Sequence, residues 1–254
     1  KKLSFAADPA FSEYERLTRI VGGNIEKLVF DNLLIDVPEF ISEIKKVNPD
    51  VVFFTNPQNP TGQIFNLDEI ESVVSAVQGM VVIDEAYIEF SSESALGLVS
   101  KYDNLIVIRT LSKAFGLAGL RLGYAISNAK NIDKMNENKL AYNISCLSET
   151  VGIYALDYET RIENYIDQVI KVRDLAVAQL DEMQELEVYR SSANFVLFTF
   201  DEWEKYQSFK NRVTKTPIRL RFFDDGPEKL KRSVRITITN LESYEAFYKI
   251  LKEC

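Results

Sequence analysis

Four polar residues in the first half of the chain follow apolar runs, at points where buried strands would end. Asn59 lies in NPQNPTG after the run DVVFFTN, and Asp84 and Tyr87 lie in DEAY after MVVI. Lys113 follows the run NLIVIRTLS, and Arg121 comes eight residues later. Because the carboxyl ends of neighbouring parallel strands meet at one edge of a sheet, we expect these side chains to line one crevice.

The residue types at this crevice match the needs of pyridoxal phosphate. Lys113 is a nucleophile suited to a carbonyl group, and this cofactor requires one for its Schiff base with the protein. Its pyridine nitrogen must stay protonated, which requires a carboxylate such as Asp84 beside it. Tyr87 and Asn59 can donate hydrogen bonds to its phenolate oxygen. A dianionic phosphate binds a guanidinium and hydroxyls, and the candidates near the lysine are Arg121, Ser112 and Thr110.

Each of these residues also has an ordinary structural interpretation. Asp84 in an isolated IDEAY would be a turn or helix-capping aspartate, and Asn59 between prolines would be part of a turn. Lys113 and Arg121 alone would be a solvated loop pair, and Tyr87 would be a core aromatic residue. The structural interpretation must explain all of them together at strand ends, so we favour the cofactor site.

Composition excludes several other classes of protein. The 254 residues include no histidine, which excludes Ser-His-Asp and Cys-His catalysis and histidine-ligated zinc. Two cysteines make no disulfide framework, so we expect a cytoplasmic protein. A net charge of -8 without a basic block argues against nucleic acid as a partner. No apolar run reaches the roughly 18 residues that a membrane span needs.

The elements that position these residues are predicted from apolar runs that alternate with helical segments. The runs LSFAAD, DVVFFTN, MVVIDEAY, NLIVIRTL and RLGYAIS, with a weaker one at IEKLVF, are typical of strands buried on both faces of a parallel sheet. Helices are predicted before Gly22 and Gly23, and between a capping Asn66 and Gly79. After about residue 160, a long amphipathic helix precedes a smaller α+β layer with the runs ANFVLFTF, IRLRFF and SVRITIT.

The chain resembles the fold-type I, class I and II pyridoxal-phosphate aminotransferases, nearest to the histidinol-phosphate aminotransferase branch, in the motifs NPQNPTG, DEAYIEF, TLSKAFGLAGLRLGY and VRITIT. The resemblance covers essentially the whole chain. It implies an α/β fold, with a three-layer large domain and a mostly parallel sheet over residues 1–160. A linking helix and a small C-terminal α+β domain would occupy residues 161–254. It also implies a homodimer that acts on an amino donor and a 2-oxo acid in amino-acid biosynthesis.

The resemblance assigns a role to each candidate residue. Lys113 would be the Schiff-base lysine and proton shuttle, Asp84 the partner of the pyridine nitrogen, and Asn59 and Tyr87 the donors to O3′. The phosphate would be held by Ser112, Arg121 and Thr110. Phe11, in DPAFSEY, would stack on the cofactor ring, with a core aromatic as the alternative. The substrate's acid groups would be bound by Arg235, in VRITIT, and Arg221, in IRLRFF; alternatively, Arg235 faces water from an edge strand.

Family members also have a segment before DPAFSEY, with a glycine-containing turn that opens a phosphate-binding helix. This chain lacks that segment, so we expect an N-terminally truncated product and full activity only in its parent. The large sheet should then have about six strands, with RLGYAIS lacking a neighbour beside an exposed apolar face. We also predict a cis peptide bond at Asn59-Pro60.

Three functions are compatible with these residues, and an aminotransferase is the one we favour. A pyridoxal-phosphate decarboxylase of a phosphorylated amino acid would use the same cofactor residues. Release of carbon dioxide, rather than formation of pyridoxamine phosphate, would identify it. The third is a non-catalytic aminotransferase-like effector domain or an inert fragment. A DNA-binding segment upstream would indicate the effector.

Overall fold

The larger of two sheets contains the strands that end at the predicted crevice. The computed structural model describes residues 2–157 and 159–253. The strands of this sheet are β1 (Leu3–Asp8), β2 (Asn24–Val29), β3 (Val51–Thr55), β4 (Met80–Asp84), β5 (Leu105–Thr110) and β6 (Gly123–Ile126). Their order is β2-β1-β3-β4-β5-β6, and only β5 and β6 pair antiparallel. This confirms the mostly parallel sheet, the six strands and the edge position of RLGYAIS.

Helices cover both faces of this sheet. They begin with α1 (Ser12–Ile20), α2 (Val37–Val47) and α3 (Leu67–Ala76). Alternate residues of a strand point to opposite faces. Phe54 of β3 accordingly packs against Phe40 of α2, with ring centroids 5.5 Å apart, whereas Phe53 stacks on Tyr14 of α1. The buried residues of α3 join the same core cluster as Phe40 and Phe54. The result is three layers, α/β/α, as the resemblance implies.

The start of α3 follows the predicted cap. The Asn66 side chain accepts from the Glu69 amide at 2.9 Å, and the Glu69 carboxylate accepts from the Asn66 amide at 2.9 Å. This reciprocal pair is a capping box, which satisfies two amides that have no partner within the helix. The helix ends at Ala76, shortly before Gly79.

An exposed apolar face lies beside the edge strand β6. The next helices are α4 (Ala129–Glu137), α5 (Cys146–Leu156) and α6 (Glu159–Asp181). Large apolar side chains in this region stay exposed: Tyr124, Leu140, Tyr142, Ile144, Leu147 and Ile153. The structure thus confirms the apolar face expected next to RLGYAIS.

The second sheet is smaller and antiparallel. Its strands are β7 (Leu186–Tyr189), β8 (Phe195–Phe200), β9 (Arg221–Phe222) and β10 (Ser233–Thr237), in the order β7-β8-β10-β9. It packs with α7 (Trp203–Val213) and α8 (Leu241–Lys252) around Phe198, Phe209 and Phe247. The strand β7 was not predicted from the sequence, and β9 is shorter than the run IRLRFF.

The turn of NPQNPTG contains the predicted cis bond. Asn59-Pro60 is cis, and so are Asp8-Pro9 and Asn56-Pro57. Within the two described stretches of the chain, no helix combines the length and the apolar character that a bilayer crossing requires.

Candidate functional site

Three parallel strands deliver the predicted residues to one edge of the large sheet. Past the strand ends, the Asn56 amide donates to the Asp84 carbonyl at 2.9 Å, and the Glu85 amide donates to the Ile108 carbonyl at 2.9 Å. These bonds hold the residue after β3 beside the end of β4, and the residue after β4 beside β5. The loops with Asn59, Asp84 and Lys113 therefore begin at the same edge, as the strand pattern predicts.

Asp84 is a buried carboxylate at the end of β4. It is 8% exposed, and its Oδ2 accepts from the Tyr14 hydroxyl at 2.6 Å while its Oδ1 accepts from the Ala86 amide at 3.0 Å. Burial raises the pKa of Asp84, and the hydrogen bond from Tyr14, the Ala86 amide and the charge of Lys113 oppose that rise. Each carboxylate oxygen still has a lone pair for another donor. Asp84 can therefore serve a cationic ring nitrogen.

Tyr87 connects the large sheet with the small one, and Lys113 lies next to its ring. Tyr87 is 6% exposed, and its ring meets Phe195 of β8 edge-on, with centroids 5.0 Å apart. The Lys113 Nζ lies 5.1 Å from the centroid of the Tyr87 ring. An amine and a phenol thus lie next to each other beside the buried Asp84.

Arg235 reaches across from the small sheet to the NPQNPTG loop. Its Nη1 donates to Asn59 Oδ1 at 2.6 Å, and its Cζ lies 4.8 Å from the Phe195 ring centroid. Among the described residues, its buried Nε has no hydrogen-bond partner. A buried donor without a partner is costly, and an acid group of a ligand would supply the acceptor.

Arg221 lies directly opposite Arg235 in the pairing of β9 with β10. Opposite residues of an antiparallel pair point to the same face, so the two guanidinium groups lie on one side of the sheet. Burial lowers the pKa of Arg235, Tyr87 opposes this, and the positive charge of Arg221 lowers it further. A doubly charged anion between the two groups would relieve their repulsion.

The three candidate phosphate ligands differ in their present contacts. The Thr110 hydroxyl lies 2.9 Å from Ser112 Oγ and 3.0 Å from the Leu122 carbonyl oxygen, so it is engaged within the turn. Arg121 has a left-handed backbone with φ 55°, and its exposed guanidinium donates to the Ala118 carbonyl at 3.1 Å. The structure brings Thr110 and Ser112 together, and phosphate binding by all three residues stays a prediction.

Phe11 lies at the start of α1, beside the hydrogen-bond partner of Asp84. It is 45% exposed, and its ring meets Tyr14 edge-on at a centroid distance of 5.8 Å. Such exposure is unusual for a core aromatic residue and leaves a ring face open. Its stacking on a cofactor stays a prediction.

Sequence reasoning missed Tyr14 and a buried ion pair behind the site. Glu85 is fully buried and accepts from Arg109 Nε at 2.9 Å and from the Ala95 amide at 2.6 Å. Glu85 adjoins Asp84 in DEAY, and Tyr14 comes one helical turn after Phe11, on the same face. These positions in the sequence were the signals from which the roles of Glu85 and Tyr14 could have been inferred. Both residues hold the strand ends and Asp84 in place.

The arrangement fits pyridoxal phosphate in the chemistry of its donor set. A buried carboxylate with spare lone pairs suits the ring nitrogen, and an amine lies next to a phenol that can donate to the ring oxygen. The buried Arg235 Nε, which has no partner within the described chain, suits the acid group of a substrate.

Comparison with known proteins shows which chains this one resembles in sequence and in fold. The family model described as aminotransferase class I and II matches residues 3–246. The histidinol-phosphate aminotransferase of Thermoanaerobacter pseudethanolicus is 34% identical over 247 residues, which are 96% of this chain and 69% of that protein. The solved structure of the histidinol-phosphate aminotransferase from Clostridium acetobutylicum superposes with a TM-score of 0.90 at 27% identity, covering 99% of this chain and 77% of that one. A decarboxylase from Sulfurospirillum multivorans superposes with a TM-score of 0.86 at 27% identity, over 99% of this chain and 75% of that one.

Proposed function

This chain belongs to the class I and II aminotransferases and is a pyridoxal-phosphate-dependent aminotransferase, and we propose that it transfers the amino group of histidinol phosphate, or of a closely similar amino phosphate, to a 2-oxo acid. The single observation that supports this choice of substrate is the pair Arg221 and Arg235 on one face of the small sheet. The names of the similar proteins agree with it. A phosphate monoester is a dianion, as is a dicarboxylic oxo acid, so one cluster can bind both partners of the exchange.

We propose that the predicted site residues bind the cofactor as follows. Asp84 binds the pyridine nitrogen, Tyr87 and Asn59 donate to the ring oxygen, Phe11 covers the ring, and the phosphate is held by Ser112, Arg121 and Thr110. When bound, the cofactor supplies an electron sink for the pair of electrons released at the substrate's α-carbon. Lys113 would hold the cofactor in the resting protein, and its freed Nζ would move the proton between the substrate's α-carbon and C4′ of the cofactor during transfer.

Two contacts support the roles proposed for these residues. The Lys113 Nζ lies 5.1 Å from the Tyr87 ring centroid, which puts the amine near the residue that would orient the ring. Arg235 donates to Asn59 at 2.6 Å, so the arginine that would bind the substrate touches a residue that would bind the cofactor. Substrate binding and cofactor orientation are therefore coupled through one hydrogen bond.

Reductive labelling tests the assignment of Lys113 without an activity assay. Pyridoxal phosphate is added to the protein, the mixture is reduced with borohydride, and the modified peptide is identified by mass spectrometry. We expect one stoichiometric label on Lys113, loss of that label in Lys113→Ala, and full labelling in a control Lys130→Ala, which changes an exposed lysine of α4. A stoichiometric label on another lysine refutes the assignment.

Arg235 and Arg221 are tested by kinetics in a preparation that transfers the amino group. Arg235→Ala should raise KM for the oxo acid much more than it lowers kcat, because this residue contacts a substrate acid and not the reacting carbon. Arg221→Ala should weaken the binding of histidinol phosphate more than the binding of a substrate without a second charge. Equal KM values in the variant and the parent protein would refute the substrate-binding role.

Decarboxylation is the second candidate function. It is favoured by the similar structure of the Sulfurospirillum multivorans decarboxylase, at 27% identity. Both reactions use the same cofactor residues, so the products decide between them. Carbon dioxide released from a phosphorylated amino acid would favour the decarboxylase, whereas amino transfer to a 2-oxo acid favours our proposal.

We further propose that residues 1–160 form the large domain and residues 161–254 the linking helix and small domain of a cytoplasmic homodimer in amino-acid biosynthesis. The two sheets have separate core clusters, which supports the division, and Tyr87, Phe90 and Ala114 of the large domain pack into the cluster of the small sheet. The exposed apolar side chains around β6, which include Tyr142 and Leu147, support the dimer. Limited proteolysis tests the domain division, sedimentation tests the dimer, and cell fractionation tests the cytoplasmic location.

A further inference from the structure

Tyr14 contacts Asp84 directly, although the sequence analysis assigned it no role. Its side chain is buried, and its hydroxyl oxygen lies 2.6 Å from Asp84 Oδ2 and 2.9 Å from Thr55 Oγ1. The ring is stacked on Phe53 of β3, with centroids 4.6 Å apart and an interplanar angle of 4°. The phenol is therefore held both at its face and at its hydroxyl group.

The direction of these hydrogen bonds follows from what each group can donate. An ionised carboxylate only accepts, so Tyr14 donates its single hydroxyl proton to Asp84. The tyrosine oxygen then accepts from the Thr55 hydroxyl, which is itself buried at the end of β3. On the other carboxylate oxygen, the Ala86 amide donates at 3.0 Å. Both oxygens of Asp84 are thus held by donors that the protein supplies.

The charge of Asp84 depends on this arrangement. Burial raises the pKa of Asp84, and the hydrogen bond from Tyr14 is the strongest of the influences that lower it. Burial and the neighbouring Asp84 charge raise the pKa of Tyr14 well above its usual value, so the phenol keeps its proton and remains the donor. A hydrogen bond to the charged form of an acid favours that form.

We propose that Tyr14 is a positioning residue of the cofactor site, whose hydroxyl fixes the orientation of the Asp84 carboxylate and keeps that carboxylate ionised. The inference rests on the proposed role of Asp84 as the partner of the pyridine nitrogen, because a neutral carboxyl group would not hold that nitrogen in its protonated form. Thr55 acts indirectly on Asp84, because its hydroxyl donates a hydrogen bond to the tyrosine oxygen.

The test measures Asp84 itself, in the chain without added cofactor. Protein labelled with carbon-13 at the aspartate carboxyl groups is titrated by NMR, and Asp84→Asn identifies the Asp84 signal. Tyr14→Phe keeps the ring on Phe53 and removes only the hydroxyl. We expect the titration midpoint of Asp84 to rise by about one to two pH units, as expected for loss of a hydrogen bond to a charged group. Thr55→Val should raise it by less.

A matched control removes a phenol–carboxylate bond far from the site. Tyr102 donates to Glu71 at 2.7 Å, and Tyr102→Phe should leave the Asp84 midpoint unchanged. A second readout uses the cofactor: the visible absorbance of the Lys113-bound form should change with pH over a different range in Tyr14→Phe than in the parent protein.

The outcomes separate this inference from a structural role and from the proposed function. A purely structural Tyr14 would lower the unfolding midpoint and leave the Asp84 titration unchanged, which would overturn the inference. If Tyr14→Phe does not fold, an unchanged midpoint in Thr55→Val overturns it instead. A stoichiometric borohydride label on a lysine other than Lys113 would refute the proposed cofactor site, whereas the NMR titration needs no cofactor and tests Tyr14 independently.

Discussion

We expect Glu89 to make the stability of this protein depend on pH near neutrality. It lies in the turn Ile88–Phe90 of DEAYIEF, directly after the site residue Tyr87, and its buried Oε2 has no hydrogen-bond partner within the described chain. Burial raises the pKa of Glu89 from 4.5 to about 7, while its own backbone amide and the charge of Arg109 oppose the rise. The folded protein therefore favours the neutral form of this carboxyl group.

The sign of the effect follows from the raised pKa. Stability from the neutral carboxyl group is fully present below pH 4.5, the value for an unshifted glutamate, and is lost as the pH rises through about 7. The rise in pKa corresponds to about 3 kcal/mol, at roughly 1.4 kcal/mol for each pH unit. Glu89→Gln stays neutral at every pH. It should match the parent protein near pH 4.5 and exceed its unfolding free energy by up to about 3 kcal/mol at pH 8.

Urea unfolding, followed by circular dichroism at several values from pH 4.5 to 8.5, measures this difference. Glu245→Gln is the control, since it removes a carboxylate from the exposed face of α8. The control should follow the parent protein over the whole range. If Glu89→Gln and the parent protein have the same unfolding free energy at pH 8, the carboxyl group is not held neutral and the reasoning is wrong.

Two further substitutions test how the site is supported. Gly62 is the last residue of NPQNPTG and has φ +79°, and a Cβ there would lie 2.1 Å from Ser191 Oγ. Gly62→Ala should therefore lower the thermal unfolding midpoint by an amount equivalent to about 1 kcal/mol or more. Gly97→Ala, where a Cβ meets nothing within 4 Å, should leave the midpoint nearly unchanged, and equal midpoints for the two variants would contradict the argument. Arg109→Met should cost about 3 kcal/mol in urea unfolding at pH 7, because it leaves the fully buried Glu85 without its ion-pair partner. A loss below about 1 kcal/mol, the range of exposed ion pairs, would show that the remaining donors to Glu85 suffice.

Much of the fold could be predicted from the sequence because its signals are local. The strands β1, β3, β4 and β5 are nearly continuous apolar runs, as burial on both faces of a parallel sheet demands. The edge strand β2 contains Glu26 and Lys27 and gives the weaker signal. The Asn66 cap of α3 depends only on residues within one helical turn. By contrast, the strand Leu186–Tyr189 has only four residues, and a run this short does not distinguish a strand from the end of the preceding helical pattern.

Part of the candidate site could likewise be predicted from local sequence signals. Asn59, Asp84 and Lys113 could be placed together from the sequence, because parallel strands deliver whatever follows their carboxyl ends to one edge. The position of Tyr87 near Lys113 follows from the same rule. Whether each of them binds the cofactor stays a prediction until the labelling and substitution experiments are done.

By itself, the sequence determined which residues reach the edge of the sheet and that these 254 residues supply no histidine there, because both depend on residue type and strand order alone. Only the tertiary structure decided the contacts between distant segments. Tyr14 meets Asp84 across 70 positions, and Arg235 meets Asn59 across 176. Such contacts arise from how α1 packs on the large sheet and how the small sheet lies against the NPQNPTG loop. The pattern of a single segment contains no information about the surface on which it will pack.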